Sequence, residues 1–125
     1  MIVLDANVLI ASLNRFDAHH ERAHAIVASS DDLAAHRLSI AEALVAPART
    51  GRLAAAWSAI RATTTMVGGD DEEPARLALL RARTGLRMPD CCPLDAAMRS
   101  RGHLATFDAA LARTAAALDV PIVTA

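Results

Sequence analysis

Apolar and polar positions fall along the chain in short blocks whose period changes. Ile2-Val3-Leu4 is an apolar run that stops at Asp5, and Ala6–Leu13 behind it predicts a helix opening directly off that strand. Helical spacing recurs over His20–Ala28. A strand is predicted at Asp32–His36, a helix over Ser39–Arg49 and a further helix from Gly51 to Arg61. Thr63–Val67 is β-branched and strand-like, and Gly68-Gly69 breaks it. The acidic run Asp70–Glu73, read as a solvated helix start that suits the helix dipole, leads into a helix over Pro74–Arg83. Beyond Thr84-Gly85 the pattern gives a helix from Met88 to about Ser100, a strand at His103–Ala105, a helix over Ala109–Leu118 and a last strand at Pro121–Val123. Strands alternating with helices indicate a parallel α/β sheet. No repeat, linker or sustained heptad interrupts the series, so residues 1–125 are expected to form one domain.

Composition adds limits rather than identity. Hydrophobic residues make up 54% and charged residues 22% of the 125, a globular balance in a chain long enough to bury one core. No apolar run approaches the roughly 18 residues of a membrane span, and Asp5 cuts the N-terminal apolar stretch short of a secretion signal. A cytoplasmic protein without membrane attachment is expected. Cys91 and Cys92 are adjacent, cannot readily pair with each other, and are expected to be small buried hydrophobes. The formal net charge of −1 offers a polyanion no global attraction, so local Arg or bound cations must supply it. All 13 basic residues are Arg, which excludes any site that requires a catalytic Lys.

Chemistry is sought just past the strands, because ligands of open α/β sheets bind beyond the carboxyl ends of the strands. Asp5 closes the first strand, and Asp108 follows His103–Thr106 after a single Phe107. Asp90 begins a helix after Pro89, and Glu42 lies in the first turn of the helix from Ser39. Four carboxylates from four distant segments are thus expected to meet at one sheet edge. Clustered carboxylates are costly to ionise together unless a divalent cation compensates them, and an all-oxygen donor set selects a hard ion, Mg²⁺ or Mn²⁺. Such ions orient and acidify water and stabilise the leaving oxygen, so the implied reaction is phosphodiester hydrolysis.

Asp5-Ala-Asn7-Val-Leu-Ile, Ser39-Ile-Ala-Glu42, Pro89-Asp90 and Thr106-Phe-Asp108 together resemble the PIN-domain nucleases, specifically VapC-type toxins, in order and over nearly the whole chain. The resemblance implies a Rossmann-like α/β/α fold and Mg²⁺- or Mn²⁺-dependent endoribonuclease activity on structured RNA, possible targets being tRNA or rRNA. It implies a homodimer and a VapB-type antitoxin that enters the active-site groove. Asp5, Glu42, Asp90 and Asp108 match the acidic, metal-holding positions, and Asn7 and Thr106 match polar helpers with orienting roles. Pro93 departs from the aliphatic residue more usual there; a first-turn proline is tolerated. Asp95 is an additional acid one turn beyond Asp90.

Each motif also has a plainer meaning. Asp5 and Asp90 suit helix starts, and Ser39-Ile-Ala-Glu42 is a capping-box pattern. Asn7 and Thr106 suit local turns. His20-Glu21-Arg22-Ala23-His24 matches the H-E-x-x-H of zinc proteases, but a third ligand and a matching cleft are missing from the pattern, so a solvated helical face is expected. His36 and His103 read as structural. With Phe16, Trp57 and Phe107 the only aromatics, stacking is not the expected main mode of holding RNA. Rival functions are a phosphatase using Asp5 as nucleophile, whose usual second acid is missing, a receiver module, which needs the absent Lys, and a non-catalytic binding module.

Overall fold

A computed structural model describes residues 1–123. Its elements are β1 (Ile2–Leu4), α1 (Ala6–Leu13), α2 (His20–Ala28), β2 (Leu33–His36), α3 (Arg37–Arg49), α4 (Leu53–Thr63), β3 (Thr64–Val67), α5 (Glu73–Thr84), α6 (Met88–Ser100), β4 (His103–Ala105) and α7 (Ala109–Ala117). The four strands form one sheet in the order β3-β2-β1-β4, and every pairing is parallel.

Strand side chains alternate between faces, and both faces are covered. Leu4, Leu33, Ala35 and Ala105 point into a core with Val8, Leu9, Ala23, Ile26, Ile40 and Ile60 from α1–α4. Val3, Ala34 and Leu104 point into the opposite core with Leu80, Leu94, Ala97, Leu111 and Ala115 from α5–α7. The result is the α/β/α sandwich expected from the sequence, and β1 and β4 run out at their carboxyl ends directly into Asp5 and Thr106. No helix among the described residues is long and apolar enough to cross a membrane.

Several boundaries differ from expectation, each for a long-range reason. The expected last strand at Pro121–Val123 is a single parallel bridge between Ile122 and Leu104, since Pro121 has no N–H with which to lengthen the ladder. Helix α4 starts at Leu53, because Gly51 turns the chain at φ +72°. Helix α3 begins at Arg37, two residues early. The buried His36 side chain caps it, Nδ1 accepting the Leu38 N–H at 3.0 Å. Its Nε2 then carries the proton and donates to Glu73 Oε1 at 2.9 Å. Glu73 is buried and its other oxygen accepts the Gly69 N–H, while Asp70 is bound by Arg76. Asp70, Asp71 and Glu72 are exposed as expected of a solvated helix start, and the exception is Glu73, which is buried and anchors the joint between α5 and β3. Pro93 lies fully buried six residues into α6, in its second turn rather than the first, so the Pro89 carbonyl has no amide four residues on.

Candidate active site

Asp5 is the first residue after β1 and the N-cap of α1. Its backbone N–H donates to Ala105 O at 2.9 Å, which registers it against β4, and its Oδ1 accepts the Ala6 N–H at 2.8 Å. Its Oδ2 accepts the Thr106 hydroxyl at 2.7 Å. That hydroxyl oxygen in turn accepts from Asn7 Nδ2 at 3.3 Å and from the Asp108 N–H at 3.1 Å, so its donor and both lone pairs are used. Asn7 Oδ1 accepts the Phe107 N–H at 3.2 Å. Asn7 and Thr106 thus tie the end of β1 to the β4–α7 connection and orient Asp5. Asp108 is the N-cap of α7, Oδ1 accepting the Leu111 N–H at 3.0 Å. Asp90 stands in the first turn of α6, with the exposed Arg87 guanidinium 3.5 Å away, a weak pairing. Glu42 is exposed on α3.

The acids feel one another. Burial pushes the Asp5 carboxyl above its ordinary value of 3.8; the bonds from Thr106 and Ala6 oppose this, and the charges of Asp90 and Asp108 add to it. Glu42 is raised above 4.5 by partial desolvation first, then by Asp5 and Asp90, with Arg87 acting the other way. Among the described residues no three His, Cys, Asp or Glu side chains converge into a ready-made metal cage. A cation held by one or two carboxylates with waters and phosphate needs no such cage, and the all-oxygen, mutually repelling donor set fits Mg²⁺ or Mn²⁺.

Other candidates lie elsewhere. Asp95 is buried and bound by Arg76 through Nε at 3.1 Å, and with Asp70, Glu73 and Arg99 it lines a separate cavity of about 310 Å³. His20 Nδ1 sits 2.7 Å from Ala11 O, fixing α2 against α1, and the His20 and His24 rings stack at 6.2 Å. Helical spacing did not reveal His19 and Arg22, whose side chains meet Phe107 across the fold. No local signal carries that contact.

A sequence profile of the PIN domain matches residues 2–117. The chain belongs to the PIN domain family. Solved structures share its fold: a toxin–antitoxin complex from Klebsiella pneumoniae is 23% identical, over 86% of this chain and 87% of that one, with a TM-score of 0.73. VapC20 of Mycobacterium tuberculosis, a toxin that cleaves the sarcin–ricin loop, is 20% identical over 91% and 95%, with a TM-score of 0.68. FitAcB from Neisseria gonorrhoeae is 19% identical over 99% and 97%, with a TM-score of 0.72. Among curated proteins, none matches the chain by sequence. Asp5 and Asp108 cap α1 and α7, the helices that follow β1 and β4, and Asp90 stands in the first turn of α6.

Two predictions arise here. The capping-box reading of Ser39 fails, because His36 holds the cap and Ser39 lies inside the first turn with its hydroxyl buried and unpartnered. Ser39→Ala removes that hydroxyl and raises helix propensity, so a gain of about 0.5 kcal/mol is expected in denaturant unfolding. A loss of about 1 kcal/mol, the effect of deleting a cap, would reinstate the box. The second concerns pH. Raised carboxyl pKa values favour the native state fully below the unfolded values and lose that benefit as pH rises through the native ones. Metal-free protein is therefore expected to lose stability through Asp5 and Glu42 as pH climbs from about 4. Asp70, held well below the usual carboxylate range by Arg76, changes only at lower pH. The gap in Tm between wild type and Asp5→Asn should shift in favour of the variant from pH 4 to 7; a gap independent of pH would refute the assignment.

Proposed function

We propose that this PIN domain is the ribonuclease toxin of a toxin–antitoxin pair, a Mg²⁺- or Mn²⁺-dependent endonuclease whose metal-holding acids are Asp5, Glu42, Asp90 and Asp108, one or two of them binding a cation directly and the others acting through its waters. The observation that carries this is electrostatic. Asp5, just past β1, and Glu42, on α3, are raised by burial first and then by neighbouring carboxylates, Asp90 and Asp108 at Asp5, Asp5 and Asp90 at Glu42, a crowding of negative charge that a hard cation relieves. A bound cation supplies Lewis acidity at a phosphate and a more acidic water. The chain supplies position. Asp5 is fixed by β4, Ala6 and Thr106, Asp108 by its cap on α7, whereas exposed Glu42 and the loosely paired Asp90 are free to adjust to substrate.

The similar structures support the biological setting: VapC20, a toxin that cleaves the sarcin–ricin loop, and a toxin–antitoxin complex share the fold. The matching partners here are a structured RNA such as tRNA or rRNA, a VapB-type antitoxin and a second copy of the chain, in the cytoplasm. Purified protein should cleave RNA with Mg²⁺ or Mn²⁺ and stop in EDTA. Independently of turnover, Mn²⁺ should raise Tm, by the equivalent of about 2.7 kcal/mol at a hundred times Kd. Undiminished cleavage in EDTA sinks the metal-dependent mechanism.

A further inference from the structure

Beside the acidic rim lies an aromatic and cationic group that the proposed chemistry does not use. Phe107 sits between Thr106, which holds Asp5, and Asp108. The His19 ring stacks on the Phe107 ring at a centroid distance of 4.6 Å and an interplanar angle of 24°, and Arg22 places its guanidinium 4.9 Å from the Phe107 centroid. His19 and Arg22 are exposed, while Phe107 is partly buried against the core under α1–α4. The packing thus sets the ring of exposed His19 against Phe107, the sequence neighbour of the proposed metal ligand Asp108. Earlier in the same α1–α2 connection, Phe16 is 83% exposed with Arg15 4.9 Å from its ring centroid. An exposed aromatic with a cation over it is an unusual expenditure of surface in a chain with three aromatics.

We infer that His19, braced by Phe107 and flanked by Arg22, is a stacking platform for one unpaired nucleobase next to the scissile phosphate. The inference rests on the proposed ribonuclease activity. Stacking on an aromatic ring tolerates any base, and a guanidinium at its edge meets the adjoining phosphate, which supplies the local positive charge that the net charge of −1 does not. The RNA is then held at the cut by an unpaired nucleotide rather than by base-pair shape alone.

The test uses fluorescence anisotropy in Mg²⁺ with Asp5→Asn as parent, so that cleavage is negligible during the measurement. Two probes are compared: a single-stranded oligoribonucleotide and an abasic ribose-phosphate chain of equal length. His19 makes no side-chain cap, so His19→Ala should fold like the parent. It should bind the base-bearing probe about tenfold more weakly and the abasic probe equally well, and His19→Phe should restore binding. Arg22→Ala should weaken both probes and lower the salt slope by about one. Equal losses on both probes with His19→Ala overturn the platform. So does unchanged RNA affinity while wild type still cleaves RNA, which would mark the face as a protein contact. If the parent binds neither probe and wild type cleaves no RNA, the ribonuclease reading falls and the platform with it.

Discussion

Asp5→Asn is expected to reduce RNA cleavage by about a thousandfold, the scale on which removal of one electrostatic element of an active site acts. The amide retains an oxygen for the Ala6 N–H, so α1 keeps its cap. Thr106 pays instead. Its hydroxyl now donates to Asp5 and accepts from Asn7 and Asp108; the amide nitrogen would face it as a third donor. Relief of a buried charge and loss of that bond oppose each other, so the change in stability at pH 7 should stay within about 1 kcal/mol. Cleavage and thermal melting measured together decide the matter. Full activity in the variant removes Asp5 from the site, and inactivity accompanied by unfolding leaves the ligand role to be judged on Glu42→Gln, where an exposed side chain makes misfolding no issue.

The largest structural effect is expected at a residue far from any motif. Gly68 has φ +94°, and a Cβ there would lie 2.4 Å from His36 Nε2 and 3.0 Å from Glu73 Oε2. Neither neighbour has room to move, since His36 caps α3 with one nitrogen and holds buried Glu73 with the other. Gly68→Ala should therefore combine backbone strain with a broken buried hydrogen bond, about 3 kcal/mol in all, or a fall in Tm of about 10 °C. Gly51→Ala is the control: its φ is +72° but nothing lies within 4 Å of the added carbon, so only the strain, about 1 kcal/mol, should appear. Equal losses in the two variants would show that the His36 contact contributes nothing.

Much of the fold was legible in the chain because period and burial agree there. Val3 and Leu4, or Leu104 and Ala105, alternate between two cores as strand period requires. Asp5, Asp90 and Asp108 stand at helix starts as their motifs implied, whereas Glu42, expected in a first turn, lies in the second turn of α3 because that helix begins two residues early. What escaped was decided by contacts between distant residues. Ser39-Ile-Ala-Glu42 satisfies the local rule for a capping box, yet the cap belongs to His36, whose ring is oriented by Glu73 from thirty-seven residues away. Glu73 reads as solvated among its acidic neighbours for the same reason. The pairing of Phe107 with His19 and Arg22 likewise joins segments that no window along the chain includes.

Asp5 and Asp108 each begin a helix as well as belonging to the acidic rim, and Asp108 in particular contributes a single side-chain bond, to the Leu111 N–H. Asparagine makes that bond as well as aspartate does. In evolutionary terms, one nucleotide change converts Asp108 to an amide, which on the proposed reading would remove a carboxylate from the rim without disturbing the helix that stands on it. If the rim is the proposed active site, a lineage carrying this chain could accordingly drift to an inert protein that still folds and still presents nearly the same surface, a decoy one atom removed from the original.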